Sequence, residues 1–252
     1  MDTQSVSIEN SVENLKKSII SNMISDNATD QDRLTIIETL SKFPIEIIEM
    51  SSDAGTKIRV LRPGEKYRKA SPALNRFGVD VDAWPVAPRG LFVLEEKTLY
   101  IRTVSVMTIG HEFCHSVDLA LGINQPLGKD LYLSSTSSKM SQIFNEARAF
   151  VTPYAASGKD EFFAESLRAY VGNLNDRESL WPKATPERLK ELTPEMSAFF
   201  DEIIADLSLA RQAMQSLPMP PPEAMEAPKK NHRRNRGNDR ETEFNFWFFG
   251  MC

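Results

Sequence analysis

The sequence predicts an α+β fold, a small sheet packed over one central helix with a mostly helical C-terminal half. Three observations carry this. Short apolar runs bounded by turn residues fall before residue 102; residues 108–118 hold apolar and histidine positions at intervals of three and four; helical spacing then dominates from Ser141 to about Leu217. The 252 residues, 41% of them apolar, suffice for one domain of ordinary size with tails.

Residues 8–25 place Ile8, Val12, Leu15, Ile19, Ile20 and Met23 on one helical face, so an amphipathic helix that packs on the core is expected in the segment 1–28. A second helix is expected from an Asp30 cap through Leu34, Ile36, Ile37 and Leu40 to Phe43, where Pro44 stops it. Residues 45–50 read as a strand, 51–55 as a turn and 57–61 as a strand ended by Arg62-Pro63-Gly64. Residues 64–89, with Pro72, Pro85 and Pro88, read as a loop-rich excursion. The runs 91–95 and 98–102 form a hairpin around Glu96-Lys97, a candidate edge for binding an extended peptide. After the central helix, which ends near Gly122, residues 123–140 are polar and Ser/Thr-rich and read as a surface loop. Helical spacing resumes over 141–150, Pro153 breaks it, Tyr154 follows in a loop, and Lys159-Asp160 caps a helix carrying Glu161. The last helix is capped by Thr193, begins at Pro194 and runs to about Leu217. Domain limits are set at 29–217, followed by a tail over 218–252. The tail holds a polyproline-type run at 218–222, a basic run at 229–240 and an aromatic end, and 218–243 is expected to be disordered.

Composition narrows the function. A formal net charge of −5 gives no global nucleic-acid signature, and the basic tail is too unpatterned to specify one. Cys114 and Cys252 cannot make a disulfide framework, so a reduced protein is expected. No stretch is long and apolar enough to span a bilayer, and Met1-Asp2-Thr3-Gln4-Ser5 lacks the start of a secretory signal. The expectation is a cytoplasmic protein, or one exported by a route without a cleavable signal peptide.

The chemistry sits in His111-Glu112-Phe113-Cys114-His115. On a helix, residues four apart share a face, so both imidazoles can address one ion while Glu112 leans over the same site. Two neutral imidazoles and one further protein group leave a fourth position for water at Zn²⁺, and Glu112 can take that water's proton. Only three histidines exist, and His232 lies in the tail, so the third ligand is expected to be a carboxylate. Glu146, Glu161 and Glu165 are the candidates. Asn145-Glu146 is similar to the Asn-Glu start of the second thermolysin helix, whereas Glu161 and Glu165 lie four apart on another helical face.

Taken with Ser116-Val117-Asp118, then Tyr154, then Glu161-Phe162-Phe163-Ala164-Glu165-Ser166-Leu167-Arg168, the motif resembles the catalytic domain of the anthrax lethal factor family, which includes the Pro-Pro endopeptidases. The resemblance spans about residues 90–175 and departs from the lethal factor pattern at Cys114, where that family has a small glycine. It implies a zincin-like metallopeptidase domain, Zn²⁺ held by His111, His115 and Glu161, Glu112 as base, and Tyr154 assisting the transition state. Glu165, and on the other helix Asp118, then read as carboxylates that orient a histidine from behind. A zinc endopeptidase acting on a protein or peptide substrate follows, in a toxin, an effector or a regulatory enzyme that cleaves one intracellular protein. The alternative is a catalytically weak binding module that uses its basic and aromatic tail to contact a partner.

Overall fold

The computed structural model describes residues 3–123, 131–177 and 183–216. Helix α1 (Thr3–Met23) leads into α2 (Asp30–Leu40), whose cap lies one residue earlier than the sequence suggests. Thr29 Oγ1 accepts from the Asp32 N–H, and Asp32 reaches back to the Thr29 N–H, satisfying two donors that a helix start leaves over. Ile20, Met23 and Ile24 lie in the main core, so the end of α1 packs against the helices and sheet that follow.

The next segment corrects the expectation of a strand at 45–50: it is helix α3 (Ile45–Asp53). Ile47 and Ile48 are consecutive and both buried, which breaks a two-residue alternation, while Glu46 and Glu49, three apart, turn outward on one helical face. Glu49 there accepts a hydrogen bond from Arg211 at 2.8 Å.

Strand β1 (Lys57–Val60) is followed by two short helices, α4 (Tyr67–Ala70) and α5 (Pro72–Phe77), where a loop is expected; Ser71 Oγ caps the second by accepting from the Leu74 N–H. The hairpin forms as read. Strands β2 (Gly90–Val93) and β3 (Thr98–Ile101) are antiparallel, joined by a 3₁₀ turn and Lys97 at φ 51°. Sheet order is β1-β3-β2, with β1 parallel to β3, so among the described residues β2 is an edge strand.

Each sheet face covers a separate core. Leu91, Val93 and Tyr100 meet Tyr67, Leu74 and Val81; Ile58, Val60, Phe92, Leu99 and Ile101 belong to the main core with Ile109 and Phe113 of α6 (Val106–Ile123). Helix α6 is buried from Thr108 to Gly122, the state expected of a helix apolar on most sides. Phe113 meets the Phe43 ring edge-on, with centroids 4.9 Å apart. Full burial of each such side chain contributes roughly 1.5–3 kcal/mol.

Beyond α6 the described part of the expected loop at 123–140 is instead α7 (Leu133–Thr136) and the start of α8 (Ser138–Glu146), with Leu133, Ser134 and Met140 buried. A 3₁₀ turn at Tyr154–Ala156 precedes α9 (Lys159–Val171), whose cap position is Gly158 rather than a side chain. Helix α10 (Pro186–Leu192) and α11 (Pro194–Ser216) close the domain. Pro194 opens α11 as expected, but the Thr193 hydroxyl is buried without a hydrogen bond and does not cap it. The tail from 217 on, with the expected linker, disordered stretch and aromatic end, lies outside the described residues.

Candidate metal centre

Two helices build the site. The start of α6 is held by Asp176, whose Oδ1 accepts from the Met107 N–H at 3.1 Å, and by Ser105, whose Oγ accepts from the Thr108 N–H at 3.2 Å. One turn on, His111 and His115 emerge on the same face, both buried. Helix α9 crosses this face and brings up Glu161, also buried.

The three atoms that converge are His111 Nε2, His115 Nε2 and Glu161 Oε2. Their separations are 3.1 Å between the nitrogens and 3.1 and 3.5 Å from the carboxylate oxygen to His111 and His115 respectively. Tetrahedral zinc with bonds of about 2.0–2.1 Å sets its ligand atoms about 3.3–3.4 Å apart. Glu161 Oε2 is buried and makes no hydrogen bond, although two imidazole nitrogens lie beside it. Two imidazole nitrogens and a buried carboxylate oxygen brought this close to one another are the donor set a divalent cation takes, so the group fits Zn²⁺.

Neighbouring side chains hold His111 and Glu161. Glu165 lies one turn after Glu161, and its Oε1 is 2.8 Å from His111 Nδ1. Burial pushes the Glu165 carboxyl up, but the Arg168 guanidinium and His111 outweigh it and hold it well below the usual carboxylate range. An ionised carboxylate only accepts, so His111 Nδ1 carries the proton and Nε2 is left with its lone pair toward the site. Glu165 is itself held: Arg168 Nε donates to Oε1 at 2.9 Å, Arg168 Nη2 to Oε2 at 2.7 Å, and the Thr152 hydroxyl to Oε2 at 2.7 Å. Arg168 Nη1 donates in turn to Leu174 O and Asn175 Oδ1. Glu161 is pulled down to about 2, the histidines outweighing the effect of burial.

Tyr154 stands beside His111 with ring centroids 5.6 Å apart and donates its hydroxyl to Glu161 Oε1 at 2.8 Å. That bond occupies one carboxylate oxygen and leaves Oε2 for the site. Glu112 is buried under β2. Desolvation raises its carboxyl, partly offset by His111 and His115 and by a hydrogen bond from the Phe92 main-chain N–H. The strand can approach this closely because residue 90 is glycine: a Cβ there would lie 2.6 Å from Glu112 Cγ and 2.7 Å from Thr108 Cγ2.

Two expected candidates fall elsewhere. Asp118 does not touch a histidine; its Oδ1 and Oδ2 accept from the Ser134 N–H at 2.8 Å and hydroxyl at 2.6 Å, while His115 Nδ1 is buried with no hydrogen-bond partner. Glu146 is exposed at the end of α8 and accepts from Gln142 Nε2, outside the cluster. Conversely, nothing in the spacing assigns a role to Thr152, Gly90 or Tyr132. Tyr132 packs against His115 with centroids 6.1 Å apart, and its phenol is raised well above its ordinary value by burial and the surrounding carboxylates.

The sequence matches no family model and no curated protein. Among solved structures it is similar to the Pro-Pro endopeptidase PPEP-2 from Paenibacillus alvei, at 18% identity and a TM-score of 0.52, over 73% of this chain and 99% of that one. The likeness is one of fold. It places the chain in the zincin-like α+β class, with the small sheet over α6 and the helical half below. Among the described residues no helix is long and apolar enough to cross a membrane.

Proposed function

We propose that this chain is a zinc-dependent endopeptidase, with His111, His115 and Glu161 as the protein ligands. The observation that carries the reading is the buried convergence of His111 Nε2, His115 Nε2 and Glu161 Oε2, backed by the Glu165 contact that sets the His111 tautomer. A bound zinc ion would supply Lewis-acid polarisation of a peptide carbonyl and acidify a water.

The chain's own residues do the rest. Glu112 lies on the same helix, one residue after His111, and is the group to take the water's proton and pass it to the leaving amine. The Phe92 N–H and the close passage of Gly90 hold its carboxylate in one orientation. Tyr154, whose hydroxyl donates to Glu161 Oε1 beside the site, is the group proposed to donate to a developing oxyanion. Substrate would lie along β2. Arg102 N–H donates to Arg89 O, so by the alternation of an antiparallel ladder Leu91 and Val93 pair with β3 while Gly90 and Phe92 turn their main-chain groups to the outer edge, where the Phe92 N–H is taken by Glu112 and the Gly90 groups and the Phe92 carbonyl are left for a peptide. An extended peptide adds to such an edge through main-chain hydrogen bonds.

The neighbour's name makes proline-flanked bonds the first peptides to test. Purified protein incubated with a diverse peptide library, with zinc and with chelator, tests the proposal. Chelator-sensitive cleavage that Glu112→Gln abolishes is the expected result; cleavage indifferent to chelator, or none from stoichiometrically zinc-loaded protein, overturns it.

A further inference from the structure

The histidine pair is flanked by two phenols. Tyr154 packs on His111, and Tyr132 packs on His115 and also on Phe92 of β2, with ring centroids 6.1 and 6.4 Å away. Tyr132 is half-buried, and among the described residues its hydroxyl makes no hydrogen bond. Its ring is therefore fixed between a ligand histidine and the edge strand while its donor is left unspent.

The position of Tyr132 is built. It is the residue that precedes α7, and Ser134, two residues on, gives both its main-chain N–H and its hydroxyl to Asp118. Asp118 sits on α6 three residues after His115, and its carboxylate is wholly buried. One helix thus carries a ligand and, nearly a turn later, the anchor that holds a phenol against that ligand. A buried acid with both oxygens spent on one serine has no evident purpose in the metal cluster itself, and it accounts for why α7 docks where it does.

We propose that Tyr132 is a substrate-contacting residue. Its ring forms the wall of the cleft on the His115 side, its hydroxyl donates to a main-chain carbonyl of a peptide lying along the outer edge of β2, and Asp118 and Ser134 position it. An aromatic body with a polar tip suits this task, since the ring gives contact area and the hydroxyl gives direction. The inference rests on the metal-site reading above.

The test measures, by calorimetry on the zinc-loaded full chain, the affinity of two probes: acetohydroxamate, which reaches only the ion, and a tripeptide hydroxamate, which extends along the cleft. In Tyr132→Phe the small probe should bind as in wild type and the tripeptide probe about 3–10-fold more weakly, the range for one lost hydrogen bond. Tyr132→Ala should lose more. Asp118→Ala should mimic it, and Asp118→Asn, which keeps an acceptor for the Ser134 N–H, should restore most of the affinity. Equal tripeptide binding by wild type and Tyr132→Ala overturns the proposal. So does loss of bound zinc in the Tyr132 variants, which would make the residue a structural support. If neither probe binds zinc-treated wild type, the metal reading fails and takes this one with it.

Discussion

Glu165 and His111 share a buried hydrogen bond, Oε1 to Nδ1 at 2.8 Å, and Arg168 closes on the same carboxylate from the other side. Removing the charge of Glu165 therefore acts twice. Glu165→Gln should weaken zinc binding about 10–100-fold, as loss of a partner behind a ligand histidine does. It also strands a buried guanidinium, at about 3–5 kcal/mol. Competition with a chromogenic chelator reads the first effect and chemical denaturation the second.

The ligand set is checked by metal content after dialysis. His111→Ala, His115→Ala and Glu161→Ala should each lose stoichiometric zinc, whereas Glu146→Ala should retain it, because Glu146 is exposed at the end of α8. Zinc retained by Glu161→Ala would return the third ligand to another carboxylate.

Glu112→Gln should hold one zinc per chain, melt close to wild type and lose at least about 10²-fold in peptidase rate, the usual contribution of a positioned base. Gly90→Ala approaches the same residue from the strand. Its methyl group has no room beside Glu112 Cγ, so a loss of about 1–3 kcal/mol of stability is expected together with a lower rate at unchanged zinc content.

Asp118 gives a prediction in pH. Burial lifts its carboxyl from 3.8 to about 7, against the opposing pull of the two bonds from Ser134. A raised carboxyl in the folded state means that the fold favours the protonated form. Its stabilising contribution is present below about pH 4 and is lost as pH rises through about 7. At about 1.4 kcal/mol for each tenfold change in proton affinity, the loss is roughly 4 kcal/mol. Asp118→Asn has no charge to bury, so it should gain on wild type in melting temperature between pH 4 and pH 8; parallel curves would refute the assignment.

What the sequence made legible follows from spacing within single helices. His111, Glu112 and His115 sit on one turn of α6, and the interval from Glu161 to Glu165 already places both carboxylates on one face of α9. The hairpin was legible too, because its two runs are adjacent in the chain. Contacts between distant segments were not. Thr152 reaches Glu165 and Ser134 reaches Asp118 only once α7 and the 3₁₀ turn have folded back on the helices. The Asp118 error has the same origin: a carboxylate near a ligand face reads as a histidine partner until the α7 serine that claims it is in view. The strand expected at 45–50 failed because Ile45 and Ile47 begin an alternation that the adjacent Ile48 breaks, and over so few residues the helical spacing shows only once α1, α6 and α11 pack against α3.

Glu161, Glu165 and Arg168 lie at i, i+4 and i+7 on α9, a single stripe that supplies the carboxylate oxygen beside both histidines, a partner for His111 Nδ1 and the cation that keeps that partner ionised. Each added residue turns an α-helix by about 100°. An insertion of one amino acid within the first turns of α9 would therefore swing part of the stripe away from α6 and break the chain of contacts in one genetic step. The same insertion in the turn before Gly158 would leave the stripe intact. Length variation compatible with this chemistry is thus confined to the connections, and α9 between Glu161 and Arg168 must be inherited as an indivisible block.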